Sequence, residues 1–168
     1  STNDISGYSV SSGDIDGDGY SDIIIGARYA DPNSKTDAGA TYIVYGGIQS
    51  SSNLLPSIEP THHPALNATT TPKYISPNID LRDLITYDGI AISGAATGDK
   101  SSWSVASGDI NGDGYDDLII GAPYADPSGR TDAGKVYLVY GSSSPINLDL
   151  LTLTTLQGAV FLGAANSD

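Results

Sequence analysis

At 168 residues, with 39% apolar side chains and no cysteine, this chain can bury one ordinary core but cannot staple it with disulfides. Its net charge of −13 at pH 7 argues against nucleic acid and anionic membrane surfaces as partners, because both need a basic patch. No stretch is long enough to span a bilayer, so membrane insertion is not expected. The chain starts at Ser1 without Met or a secretory signal, which reads as a processed or excised piece.

In chain order, the first informative segment is Asp14-Ile-Asp-Gly-Asp-Gly-Tyr-Ser-Asp22, with carboxylates at positions 1, 3, 5 and 9 of a glycine-rich bend. Four carboxylates this close repel one another unless water solvates them or a cation neutralises them. Calcium takes roughly six to eight oxygens in flexible geometry, and alternating aspartates supply them well. The expected ligands are the side chains of Asp14, Asp16, Asp18 and Asp22 with the backbone carbonyl of Tyr20. An EF-hand would need a bidentate Glu at position 12 and flanking helices. Position 12 is instead Ile25, inside Asp22-Ile-Ile-Ile-Gly26, a β-branched run bounded by glycine that predicts a buried strand. Magnesium demands stricter octahedral geometry, and zinc would want Cys or His near the loop.

Beyond that strand, Ala30-Asp31-Pro32 and Thr36-Asp37-Ala38-Gly39 predict turns, and Tyr42-Ile43-Val44-Tyr45-Gly46 another strand. The segment Ile48–Ser76 is rich in Ser, Thr and Pro and holds Glu59, His62 and His63. Adjacent histidines point apart in extended chain, so a surface hairpin is expected there rather than a transition-metal site. Asn67-Ala68-Thr69 is a glycosylation sequon, meaningful only in a eukaryotic secreted protein.

The acidic pattern then returns as Asp109-Ile-Asn-Gly-Asp-Gly-Tyr-Asp-Asp117. Here the expected ligands are Asp109, Asn111, Asp113 and Asp117 with the Tyr115 carbonyl, giving two calcium ions per chain. Asn111 keeps an oxygen but loses a charge, which weakens this site unless Asp116 compensates through the local field. Recurrence with the same ligand spacing weighs against a merely solvated acidic turn, and with Asp116 the two loops hold eight of the twenty acidic residues.

The recurrence extends well beyond the loops. Gly7–Asp14 matches Ser102–Asp109, and the match runs through Ala30-Asp31-Pro32 and Tyr42–Gly46 at a constant offset of 95. A second similarity pairs Asn78-Ile-Asp-Leu81 with Asn147-Leu-Asp-Leu150, and Gly89–Ala96 with Gly158–Ala165, at an offset of 69. The difference of 26 is an insertion in the first copy, within 48–76. One segment of 1–168 therefore divides into repeat A, about 5–99, and repeat B, about 100–168. By register, Ser1–Asp4 overlap Ala96–Asp99 and Ala165–Asp168, so the chain stops where a next copy would begin.

Each repeat offers four strands, in the second copy about Trp103–Ile110, Asp117–Ala122, Lys135–Tyr140 and Gly158–Ala164. Four antiparallel strands per repeat make a propeller blade, and propellers close with about four to eight blades. The expected fold is all-β, with two four-stranded antiparallel blades per chain. Two blades cannot close a ring, so apolar faces and edges await a partner. That partner is either further blades of a parent chain or identical copies joined head to tail, with a trimer giving six blades favoured.

At these residues the chain resembles the FG-GAP repeats of integrin α-subunit β-propellers and related bacterial surface proteins. The "FG" position reads Gly7-Tyr8 and Ser102-Trp103; the "GAP" triplet is intact as Gly121-Ala122-Pro123 and altered to Gly26-Ala27-Arg28. The resemblance implies a calcium-stabilised propeller commonly used for adhesion or scaffolding. Tyr8 and Trp103 fit packing between blades, and Arg28 is expected to pair with a carboxylate. An enzyme is not expected: there is no cysteine nucleophile, the only histidines sit in the insertion, and no serine stands with a local base. The expected role is a structural or adhesive, protein-interacting calcium module outside the cytoplasm: extracellular, cell-surface or periplasmic. A glycan- or peptide-binding propeller and a non-catalytic propeller fragment of a larger surface protein or enzyme are the alternatives.

Overall fold

A computed structural model describes residues 4–46, 79–86 and 89–166. The insertion, with Glu59, His62, His63 and Asn67, lies outside the described residues. Among those described there is no α-helix, and no helix long and apolar enough to cross a membrane. Two sheets carry the fold. The first holds β1 (Ser6–Gly13), β2 (Asp22–Ala27), β3 (Ala40–Val44) and β4 (Gly89–Ser93) in antiparallel order. The second holds β5 (Ser104–Gly108), β6 (Asp117–Ala122), β7 (Lys135–Val139) and β9 (Gly158–Leu162), likewise antiparallel. The four predicted strands of the second repeat are all present, three of them with slightly trimmed ends.

Why these segments form strands is visible in their neighbours. β2 and β6 are β-branched or leucine-rich runs whose two flanking strands satisfy their backbone groups, so apolar side chains are buried on the face between the sheets. Ile24, Ile43 and Ile120 are fully buried, and one apolar cluster joins Ile15, Ile43 and Ile92 of the first repeat to Leu118, Tyr137 and Leu150 of the second. The core therefore sits between the blades, and neither sheet buries it alone.

The link from one blade to the next runs along the first sheet. Gly98, Lys100 and Ser101 donate backbone N–H groups to Thr36, Asp37 and Ala38, and the Ser102 hydroxyl meets the Thr41 hydroxyl. Gly39 makes this approach possible. It has φ +81, and a Cβ there would fall 2.0 Å from the Ser101 carbonyl oxygen.

One strand escaped the sequence reading. β8 (Leu148–Asp149), from the second repeat, joins the first sheet as a fifth strand, parallel to β4. Asn147 Oδ1 accepts the Ala91 N–H at 2.8 Å, and Leu150 is buried against the core. Asp149 accepts hydrogen bonds from Lys35 Nζ at 2.7 Å and Asn33 Nδ2 at 3.1 Å. The segment acts as a latch from one blade onto the other. Its period-two signal was too short to register, because two residues cannot show alternation.

Burial acts to raise the Asp149 carboxyl, but hydrogen bonds from Lys35 and the Leu151 N–H outweigh it and hold the group below its ordinary value. A carboxylate held low stabilises the fold above its unfolded pKa and loses that contribution as pH falls through the folded value. Lys35→Met should therefore cost about 0.5–1 kcal/mol in urea unfolding at pH 7, with the pair partly exposed to solvent. The gap to the parent protein should close as pH falls below about 4.

Candidate metal centre

Each acidic loop bridges a strand end to the next strand start, β1 to β2 and β5 to β6. The pairing of Gly13 with Asp22, and of Gly108 with Asp117, closes each loop at its base. Gly17 and Gly19 (φ +73 and +88) and their counterparts Gly112 and Gly114 (φ +79 and +92) sit in the left-handed region that turns the chain back on itself.

In the first loop, backbone donors hold one oxygen of each aspartate. Gly19 N–H donates to Asp14 Oδ2 at 2.9 Å, Asp18 N–H to Asp16 Oδ1 at 3.2 Å, and Tyr20 N–H to Asp18 Oδ1 at 2.8 Å. Asp14, Asp16 and Asp18 each offer a carboxylate oxygen, and the three lie within 4.8 Å of one another. Asp14 Oδ1 is buried with no hydrogen-bond partner. Three converging carboxylates, one of which also carries a buried oxygen without a donor, suit a hard cation.

Asp22 is placed differently. It is fully buried, its Oδ2 accepts the Ile15 N–H and its Oδ1 the Gly46 N–H, both at 2.9 Å. Burial pushes this carboxyl up to about 6 despite the Gly46 and Ile15 donors, with the charges of Asp16 and Asp18 adding to the rise. Burial also raises Asp16, reinforced by the charges of Asp18 and Asp14. The three-carboxylate cluster does not include Asp22, which ties the loop to the end of β3. The Tyr20 side chain is half exposed at the loop tip.

The second loop repeats this arrangement around a neutral residue. Asp109 accepts from the N–H groups of Gly112, Asp113 and Gly114, and Tyr115 N–H donates to Asp113 Oδ1. Asn111 Oδ1 accepts the Asp113 N–H, while its amide donates to Asp113 Oδ2 at 2.8 Å. Asp117 is buried and takes the Ile110 and Gly141 N–H groups at 3.0 Å each, as Asp22 does in the first blade. The asparagine thus supplies a donor where the first loop has only a third negative charge.

Asp116 does something the sequence reading missed. Its Oδ2 accepts the Asp14 N–H at 2.9 Å and its own N–H donates to the Asp14 carbonyl at 2.8 Å. The Tyr115 ring also lies over the first loop, where a Cβ on Gly17 would fall 2.3 Å from its edge. The two loops are therefore coupled across the blade interface. The available signal was a break in the repeat, because Asp116 stands where the first copy has Ser21.

At the opposite strand ends, Tyr8, Trp103 and Tyr124 pack in series with centroids 5.6 and 5.4 Å apart. Arg28 lies 3.5 Å over the Tyr8 ring and 4.1 Å over that of Trp103, while Lys100 lies 4.3 Å over Tyr124. Tyr8 and Trp103 pack between blades as expected. Arg28 stacks on aromatic faces instead of pairing with a carboxylate among the described residues, because the rings offer a desolvated, electron-rich surface at its strand end.

The family model described as FG-GAP repeat matches residues 6–44 and 101–139, which contain both acidic loops. Integrin alpha-PS2 of Drosophila melanogaster is 33% identical over 81% of this chain, and integrin alpha-6 of Homo sapiens 33% identical over 84%. This chain spans 8% and 9% of those proteins. A phosphatidylinositol-glycan-specific phospholipase D of Rattus norvegicus is 47% identical over 30% of the chain, covering 6% of its own length.

Proposed function

The chain is built of FG-GAP repeats, and from that premise we propose that it is a calcium-binding pair of propeller blades with a structural or adhesive, protein-interacting role outside the cytoplasm. The observation that carries calcium is the convergence of Asp14, Asp16 and Asp18 with an unpartnered buried oxygen on Asp14. Asp109, Asn111 and Asp113 would hold the second ion. Asp22 and Asp117, each with a lone pair to spare on both oxygens, and the Tyr20 and Tyr115 carbonyls would complete the shells. A bound ion would neutralise the crowded carboxylates and pin the loop between two strands, so its binding free energy adds to folding. The matches to integrin α chains favour the adhesive reading over others.

Terbium luminescence tests this directly. Tyr20 and Tyr115 stand inside the loops, so added terbium should give tyrosine-sensitised emission that calcium displaces and magnesium does not. The double variant Asp14→Ala/Asp109→Ala should lose most of it. Emission that is absent, or unchanged in the variant, would count against the reading.

A second reading has its own observation. The exposed rings of Tyr8 and Tyr124, with Arg28 and Lys100 alongside, would suit stacking of a sugar or peptide. A glycan or peptide array probed with the parent chain and Tyr124→Ala separates the two readings. The short match to a phospholipase D is compatible with a propeller portion that accompanies an enzyme, a reading that a hydrolase domain in the parent gene would support.

A further inference from the structure

The two acidic loops meet through backbone and carboxylate contacts that run in both directions. Asp14, the first residue of the carboxylate cluster, donates its N–H to Asp116 Oδ2 at 2.9 Å. Its carbonyl accepts the Asp116 N–H at 2.8 Å. Next along the chain, the Ile15 carbonyl accepts the Ser142 N–H at 3.1 Å. Both partners border groups that shape the second loop. Asp116 follows Tyr115, and Ser142 follows Gly141, whose N–H donates to the buried Asp117. Asp116 stands where the first copy has Ser21, so its carboxylate link belongs to this chain and not to the repeat.

The peptide group between Tyr115 and Asp116 joins the two sites. A peptide is planar, so its carbonyl and its N–H move together. The carbonyl end is a proposed ligand of the second loop, and the N–H end is fixed by Asp14, whose carboxylate serves the first. Asp14 is clamped in turn. Gly19 N–H holds its Oδ2, and the Tyr115 ring lies against Gly17 in the same bend. Ordering either loop therefore fixes a plane that the other loop also needs fixed. The second loop to fill then loses less entropy on ordering. The hydrogen bond on the Asp116 N–H also polarises the Tyr115 carbonyl across the same peptide, making it a better acceptor. Repulsion between two cations opposes this, but Gly17, Asp18 and Asp113 are exposed, so solvent and salt screen it.

We infer that the two loops fill with positive cooperativity, each raising the other's affinity for calcium through the reciprocal Asp14–Asp116 hydrogen bonds. This inference rests on the calcium reading and adds regulation to it, because occupancy rises over a narrower range of calcium than two independent sites allow. Such coupling is reciprocal, so both loops gain by the same factor, about tenfold.

Calcium titration of the whole chain, followed by nitrogen–proton NMR, tests this loop by loop. The Gly17 and Gly19 amides report the first loop, and those of Gly112 and Gly114 the second. Asp113→Ala disables the second loop and Asp16→Ala the first, and spectra in chelator establish that each variant is folded. In the parent, each loop should fill at about tenfold lower calcium than it does when the other is disabled. The two shifts should be equal, so either variant alone reads the coupling if the other does not fold. Repeating the comparison in an Asp116→Ala background should shrink the shift to about twofold. Asp116→Asn keeps an oxygen for the Asp14 N–H and should preserve the shift. Loops that fill independently of each other would overturn the inference and leave the calcium reading intact. A full shift in Asp116→Ala, or its loss in Asp116→Asn, would overturn the inference as well. Glycine amides unmoved by calcium in both loops would sink the inference and the calcium reading together.

Discussion

In a chelator, the protein should melt about 10–20 °C lower than in about 10 mM calcium. Extracellular-type sites bind at about 10⁻⁴–10⁻³ M, so at the tighter end such calcium is about a hundredfold above the dissociation constant. Each occupied site then adds about 2.7 kcal/mol, and two add about 5 kcal/mol. For a chain of this size, each kcal/mol moves the midpoint by about 2–4 °C. Local structure supports a large effect, because metal-free carboxyls at Asp16 and Asp22 are raised by burial and by mutual charge. The loops also touch across the interface through Asp116 and Asp14, so loosening one loop loosens the blade contact. Differential scanning fluorimetry with and without chelator checks this, and Asp14→Ala/Asp109→Ala should flatten the calcium response. Equal midpoints in both buffers would contradict it.

Asp22→Ala and Asp117→Ala should each destabilise the fold by about 3–5 kcal/mol even in chelator. Each carboxylate is buried and accepts two backbone N–H groups, one from its loop and one from the end of β3 or β7. Truncation leaves both donors desolvated, at about 1–3 kcal/mol apiece. The contrast with Asp16→Ala separates tie from ligand. Asp16 lies in the three-carboxylate cluster, so its loss should abolish the calcium response of the first loop while changing chelated stability by less than about 1 kcal/mol. Urea unfolding of the three variants in chelator reads the difference. An Asp22→Ala variant as stable as Asp16→Ala would show that the buried ties contribute nothing beyond the metal.

Most of the fold was legible because the sequence writes it twice. A constant offset carries the acidic loop, the strand after it and the Asp-Pro turn into both copies, so each ambiguous segment in one copy is read against the other. The ligand set was legible for a chemical reason, since alternating carboxylates between glycines have few other uses. What stayed hidden depends on contacts between repeats. Asp149 gives no local sign that it will leave its own blade and pair with Lys35, and two latch residues are too few to show a period. Arg28 was expected to find a carboxylate, yet the fold brings Tyr8 of β1 and Trp103, just ahead of β5, beside it. Asp22 and Asp117 were read as ligands on spacing alone; their burial and paired backbone donors, which make them ties as well, exist only once the strands are paired.

A crystal of the chain grown in excess calcium, with anomalous scattering measured at long wavelength, addresses the heart of the matter. Two ions per chain are expected, one among Asp14, Asp16 and Asp18 and one among Asp109, Asn111 and Asp113. Well-ordered loops with no anomalous peak at either position, in a protein that is otherwise folded, would mean that hydrogen bonds alone shape these connections and that calcium has no part in holding the blades.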